Sequence, residues 1–307
     1  MKSIRLEATT ICQLKCPSCP TSSGDVSRYL GSGHLRIEDF KNLVDSNSWI
    51  SNIELSNWGE IFLNPDLIPI FYHAYKRDVG LSADNGVNLN TVSRDILEAM
   101  IVYKFRSMKC SIDGATPGTY SIYRRRGDFN AVIENIQTIN YFKKQYNSRY
   151  PQLTWQFIMF DHNIHELESA GEMAKKLGMS FFPKLSWENF YVKDSIAKPE
   201  RAPTREEFKN RFGKHYIRNL CTQLWTKPQI NYDGKVLGCC VQYWGDFGNA
   251  FKEGLRESLN NEKIEYARQM LLGEEDSRQD IACSSCEVYL EMKESQNWIK
   301  MSEVHEI

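Results

Sequence analysis

The chain has 307 residues, 41% of them hydrophobic, with 38 basic and 39 acidic side chains for a formal net charge of −1. That length buries one substantial core with room for a smaller appended unit, which excludes a peptide-sized scaffold held by staples. The balanced charge excludes a chain-wide attraction to nucleic acid or anionic membrane, so neither is expected as a partner. Met1–Glu7 has no long apolar run and no small-residue cleavage site, and no stretch approaches membrane-spanning length. A soluble, cytoplasmic protein is expected, in which nine cysteines are reduced ligands rather than disulfides.

Ile4 to Ala8 reads as a strand, and a polar, Gly/Ser-rich loop from Thr21 to Gly33 follows the first cysteines. Ile37, Phe40, Leu43 and Val44 have helical spacing. Ile53–Leu55 is a strand, the stretch after Pro65 a helix, and Leu81–Ala83 a strand ending in a turn at Asp84-Asn85-Gly86. A helix over Ile96–Val102, a strand over Arg106–Ile112 and a helix over Ala131–Phe142 come next. Trp155–Phe160 is a strand, Glu166–Leu177 a helix stopped by Gly178, and Met179–Phe182 a strand. Strands alternating with helices in this way are the signature of a parallel α/β sheet. The bare alternation fits a doubly wound sheet as well as a partial (β/α)6 TIM-like barrel. Polar motifs that fall just after strands, where barrels build their sites, favour the barrel.

The first such motif is Cys12-Gln13-Leu14-Lys15-Cys16-Pro17-Ser18-Cys19. Three thiols at that spacing can wrap one iron–sulfur cube and leave an iron without a protein ligand, although three-cysteine loops also bind zinc. After the second strand comes Asn57-Trp58-Gly59-Glu60, where a glycine admits close backbone approach and a carboxylate can accept from an ammonium group. Ser111-Ile112-Asp113-Gly114 follows the fourth strand, and Tyr123-Arg124-Arg125-Arg126-Gly127-Asp128-Phe129 leads into a helix. Asn163 and Glu166 follow the fifth strand, and Cys110 reads as a buried strand residue. Singly each motif is an ordinary turn or solvated loop; their order behind the cysteine loop gives them weight.

From Pro183 to Leu220 alternation is lost, which suggests a linker or lid. Its basic residues, Lys198, Arg201, Arg205, Lys209, Arg211, Lys214 and Arg218, read first as a solvated face and second as a dock for an anionic substrate group. Cys221 precedes a hairpin, Gln229–Leu237, whose Asp233-Gly234 suits a type I′ turn, and the hairpin returns the chain to Cys239 and Cys240. A helix around Ile264–Leu271 separates these from Cys283-Ser284-Ser285-Cys286, which opens the last helix. Four thiolates here close a second cluster, or equally a zinc site on chemistry alone.

With both cysteine groups in view, the chain resembles the radical S-adenosylmethionine (radical SAM) superfamily, whose C-x3-C-x2-C loop holds a [4Fe-4S] cluster that chelates SAM. Cys221, Gly234 and Cys239 fit the signature of that superfamily's SPASM and twitch domains, and Gly248-Asn249 matches the Gly-Asn that follows. The resemblance implies Cys12, Cys16 and Cys19 as ligands of the SAM cluster, and Cys221, Cys239, Cys283 and Cys286 as ligands of one auxiliary [4Fe-4S] cluster. Cys239 rather than Cys240 is favoured by the glycine spacing. SAM contacts are implied for Trp58, which replaces a family glycine, and for Gly59, Glu60, Ser111, Asp113, Asn163 and one of Arg124 and Arg125. The implied organisation is a barrel over 1–190, a linker or lid over 191–220, and a twitch domain of hairpin plus helix over 221–307.

The implied reaction is radical hydrogen abstraction from an unactivated C–H bond, with the auxiliary cluster taking a second electron to complete a two-electron oxidation. The layout is similar to that of the 2-deoxy-scyllo-inosamine dehydrogenases of aminoglycoside biosynthesis, which points to an amino sugar, cyclitol or related small polar substrate. Lys184, Glu188 and Asp161 are candidates for the base. The alternative is modification of a peptide or protein, for which Met1–Arg5 leaves no room for an N-terminal recognition domain. A non-enzymatic module with two zinc sites is the third reading. A flavodoxin- or ferredoxin-type electron donor is the implied partner of an active enzyme.

Overall fold

The computed structural model describes residues 2–186 and 201–305. Its strands are β1 (Ser3–Leu6), β2 (Asn52–Glu54), β3 (Gly80–Val87), β4 (Ser107–Ser111), β5 (Gln152–Met159), β6 (Ser180–Leu185), β7 (Gln229–Ile230) and β8 (Val236–Gly238). They form one sheet in the order β6-β5-β4-β3-β2-β1-β7-β8. The first six strands are parallel and are joined by helices that include Ile37–Ser46, Leu67–Lys76, Arg94–Val102, Phe129–Gln145 and Leu167–Lys176. This is the partial (β/α)6 TIM-like barrel expected from the sequence.

Alternation along each strand separates a helix-facing side from a cavity-facing side. Ile4, Leu6, Ile53, Met108, Cys110, Trp155 and Phe157 are buried in the main core, and each such side chain contributes about 1.5–3 kcal/mol on burial. The residues between them, Arg5, Lys109, Ser111, Gln156 and Ile158, line a common cavity at the other face. Trp155 does more than fill the core. Its indole N–H donates to the Ile112 carbonyl at 2.7 Å, which fixes the chain just past the end of β4.

β3 runs four residues beyond the expected end at Ala83. The Glu54 carboxylate accepts from the Asp84 and Asn85 amides, and the Ser56 hydroxyl accepts from those of Asn85 and Gly86. Side chains of the neighbouring strand's end thus supply the acceptors that β2 no longer offers, and the turn residues extend the strand instead. The expected polar loop over Thr21–Gly33 contains two short helices, Pro20–Ser23 and Asp25–Leu30. Val26 and Leu30 of the second are buried against Leu237, so contacts distant in sequence order a stretch that looks like a loop locally. The helix Pro117–Tyr123 has Thr116 as its cap, accepting from the Thr119 amide. The 183–220 region carries the end of β6 and a helix, Arg205–Phe212, with a capping box at Thr204 and Glu207. The boundary expected at 190/191 lies outside the described residues.

The hairpin is not set apart from the barrel: β7 pairs in parallel with β1, Arg5 opposite Gln229 and Leu6 opposite Ile230. Its turn is not type I′. That turn needs positive φ at both central residues, whereas here Gly234 (φ 89) takes it and Asp233 does not. Asn249 secures the turn by donating to the Asp233 carbonyl while capping the next short helix. The helix opened by Cys286, Glu287–Ser295, is followed by another at Met301–His305 and is not the last. Among the described residues, no helix is long and apolar enough to cross a membrane.

A Cβ at Gly234 would lie 2.6 Å from both Asn249 Oδ1 and Phe251 Cγ. Gly234→Ala therefore meets both positive φ and a clash, and should cost about 2 kcal/mol or more, read as a lower urea midpoint at unchanged slope.

Candidate functional site

The cavity has a volume of about 610 Å³. It is lined by Cys12, Cys16 and Cys19 together with Trp58, Gly59, Glu60, Asn88, Ser111 and Arg124. The C-terminal third contributes a wall of its own, with Tyr216, Asn219, Gln223 and Cys240. Lys109, Gln156, Phe182 and Lys184 of β4–β6 and Asp84 of β3 complete the wall.

The three thiols sit among nitrogen donors: the Asn88 amide is 3.6 Å from Cys12 Sγ and an Arg124 Nη is 3.8 Å from Cys16 Sγ. Burial, with the nearby Glu60 carboxylate, pushes the Cys12 thiol up to about 12. Burial likewise raises Cys16, against the pull of Arg124. Metal binding must therefore displace these protons. Soft sulfur donors opening on one cavity, two of them facing N–H groups, fit the donor chemistry of an iron–sulfur cluster. Among the described residues, no group of three or more His, Cys, Asp or Glu side chains is arranged to hold a single metal ion.

Arg124 is held by Asp113, whose carboxylate accepts from its Nε at 2.6 Å and from the Ile158 amide at 2.7 Å. Burial opposes the charge on Arg124, and Asp113 with Cys16 beside it outweighs that and raises its pKa. Burial raises the Asp113 carboxyl, with Arg124 and the Ile158 amide offsetting part of the rise. Asn163 is buried and lies behind this pair. Its amide donates to the carbonyls of Asp113 and Ile158, while its oxygen accepts from the Phe160 amide. Glu166 similarly accepts from the Ala115 amide and the hydroxyls of Thr116 and Thr119. Asp113, Asn163 and Glu166 thus position the wall rather than line it. Arg125 is exposed; its backbone is engaged, the amide donating to the Tyr123 carbonyl and the carbonyl accepting from the Lys15 amide.

Trp58 lines the cavity and is half-buried, with its indole nitrogen out of contact with solvent. It meets Tyr243 edge-on at 5.2 Å and packs beside Val26, Leu30 and Leu237. Its amide and that of Gly59 donate to the buried Glu7 carboxylate. A Cβ at Gly59 would lie 2.0 Å from the Thr9 carbonyl oxygen, so only glycine lets this loop cross the one after β1. Glu60 accepts from the Asn88 and Phe62 amides; burial, offset in part by those two amides, raises it to about 7.

Of the three base candidates, Lys184 lines the cavity. Burial lowers its pKa, and repulsion from Arg205 and Lys109 works against the attraction of Cys240. Asp161 is turned away and accepts from the Ala202 amide, while Glu188 lies outside the described residues. Three of the seven basic residues of the 198–218 run are paired elsewhere: Arg201 with Glu207, Lys209 with Glu291, Arg218 with Glu303. Lys198 lies outside the described residues, and Arg205 donates to the Ser186 carbonyl.

Cys221, Cys239, Cys283 and Cys286 gather behind the far wall. Burial raises the Cys221 thiol, and Cys239, Cys283 and Cys286 each push it further; Cys283 rises by burial and then by Cys239 and Cys286. Cys240, the next residue along, faces the cavity instead, its amide donating to Gln223 Oε1. The two neighbouring thiols thus have different surroundings, although Cys240 lies near enough to raise Cys239 further.

Sequence reading missed Asn88, Lys109, Gln156 and Asp84. Asn88 lies past an expected turn, and Lys109 and Gln156 are single polar residues inside strands, a pattern that alternation flags only once the cavity face is known.

Residues 221–287 match the SPASM family, an iron-sulfur cluster-binding domain. No curated protein sequence matches the chain. The fold is similar to Streptococcus suis SuiB bound to S-adenosylmethionine, with TM-score 0.67 and 11% identity, over 94% of this chain and 71% of that one. It is also similar to SuiB bound to precursor peptide SuiA, with TM-score 0.63 and 10% identity, over 86% and 65%. BtrN in complex with AdoMet and 2-DOIA matches with TM-score 0.48 and 12% identity, over 92% and 91%. The chain thus spans about two thirds of the length of SuiB.

Glu7 gives a test of this wall's electrostatics. Burial pushes its carboxyl up to about 8 against an ordinary 4.5. Because the folded group keeps its proton to higher pH, its contribution to stability is complete below about pH 4.5 and is lost as pH climbs toward about 8. Urea midpoints should fall from about pH 5 to 8 in the wild type and fall less in Glu7→Gln, which mimics the protonated form.

The chain thus has a fold similar to that of SuiB, which has been solved bound to S-adenosylmethionine, and its residues 221–287 match the SPASM family, an iron-sulfur cluster-binding domain.

Proposed function

We propose that the chain is a radical SAM oxidoreductase acting on a small polar molecule, such as an amino sugar or cyclitol. The observation that supports this reading is the single cavity that opens at once on the three-cysteine loop, on polar strand residues and on the wall in front of the second cysteine set. Cys12, Cys16 and Cys19 would hold the SAM-binding [4Fe-4S] cluster, and Cys221, Cys239, Cys283 and Cys286 the auxiliary one. When bound, the first cluster and SAM supply an oxidant able to take a hydrogen atom from an unactivated C–H bond.

The chain's own residues prepare the place for that chemistry. Glu60 stands where the SAM ammonium group would be accepted, and Arg124, fixed by Asp113, offers a guanidinium to a carboxylate. Ser111, Asn88 and the backbone around Gly59 complete that half. Gln156, Asp84, Asn57 and Gln223 bring hydrogen-bonding groups to the other half, as a hydroxyl-rich substrate requires. The oxidation also releases a proton. Among the described residues, the cavity-wall candidates for its acceptor are Lys184 and Asp84. The electron donor in this reading is a flavodoxin or ferredoxin.

A peptide substrate is the second reading, suggested by the fold shared with SuiB, which has been solved with a precursor peptide. Anaerobically reconstituted protein given SAM, reductant and panels of sugars and peptides separates the two by which panel transfers deuterium into 5′-deoxyadenosine. Cys12→Ala should abolish 5′-deoxyadenosine release, whereas the double variant Cys283→Ala/Cys286→Ala should retain release but lose oxidised product. Release undiminished in Cys12→Ala would overturn the assignment.

A further inference from the structure

We propose that the substrate of this cavity carries an anionic group, a phosphate or a carboxylate, held between the ammonium groups of Lys109 and Lys184. The inference rests on the reading of the cavity given above and names a substrate class for it. Lys109 leaves β4 on the cavity side, and its Nζ lies 4.6 Å from the centroid of the Phe182 ring. Phe182 and Lys184 share one face of β6, two residues and so about 6.6 Å apart. Both lysines line the cavity, with Gln156 on the strand between them. Two cations are thereby brought to one wall by three adjacent strands.

Neither lysine forms an ion pair among the described residues, and the nearby carboxylates are engaged elsewhere. Asp113 holds Arg124, and Glu54 accepts from Ser56, Ser82 and backbone amides. Glu60 accepts from Asn88, and Asp84 from the Ser107 hydroxyl. Arg205 adds a third positive charge near Lys184. Like charges gathered in a half-buried recess repel one another at reduced dielectric, and an anion between them converts that repulsion into two charge-assisted hydrogen bonds. Lysine is a point-charge donor suited to such a group. A Lys184 held in this way stays protonated, which leaves Asp84 as the cavity-wall group to accept the proton of the oxidation.

The test titrates the SAM-loaded holoprotein by calorimetry with inorganic phosphate and with acetate as probes, and with glucose as the neutral control. Circular dichroism melting confirms that each variant is folded. At least one anion should bind, glucose should not, and Lys109→Gln and Lys184→Gln should each weaken the anion by about tenfold or more. Lys252→Gln, at an exposed helix position, should leave it unchanged. Preference for phosphate or for acetate identifies the group. Absence of binding by both anions, or binding by the two cavity variants equal to wild type, overturns the proposal. Reductive release of 5′-deoxyadenosine in the same preparations reports separately on the radical SAM reading, so loss of anion binding with release intact removes the substrate class alone.

Discussion

Buried carboxylates hold the cavity open. In a parallel barrel the strands diverge at their C-terminal ends, and the backbone amides there lose their ladder partners. In this chain an acidic side chain on one element supplies the acceptor for the next: Glu7 for Trp58 and Gly59, Glu54 for Asp84 and Asn85, Glu60 for Asn88, Asp113 for Ile158. Each bond ties a loop to its neighbour while leaving the middle unfilled. An apolar residue at any of these positions would leave buried amides unpaired, at a cost of about 1–3 kcal/mol each. The alternative, letting the loops close onto one another, would fill the cavity.

This arrangement explains how much the amino-acid sequence reveals. The helices are plain from spacing, because Phe40, Leu43 and Val44, or Ile70, Phe71 and Ala74, pack on the sheet at helical intervals. The three-cysteine loop and the four later cysteines are also legible, since the chemistry of sulfur restricts what such spacings can do. The end of β3 is not, because its continuation depends on Glu54 and Ser56, roughly thirty residues earlier. The helix Asp25–Leu30 likewise depends on Leu237, two hundred residues later, and no local pattern encodes that contact. Arg124 and Arg125 are equivalent in the sequence; only the position of Asp113 beneath the chain decides which one enters the cavity.

The adjacent cysteines illustrate the same limit. Gly234 and its spacing favour Cys239, which lies near Cys221 together with Cys283 and Cys286. The sequence offers no reason for Cys240 to be a cysteine, and the structure places it on the cavity wall, near both Lys184 and its neighbour Cys239.

The continuation of the barrel sheet through β7 has a mechanical consequence. The Arg5 amide donates to the Pro228 carbonyl and its side chain to Gln229 Oε1, and the Glu7 amide donates to the Ile230 carbonyl, so the strand leading to the first cysteine loop and the strand leading to Cys239 are zipped together. The approach to the first cysteine loop and the approach to Cys239 are therefore anchored side by side on one sheet, so that the pairing of two short strands ties the position of one stretch to that of the other.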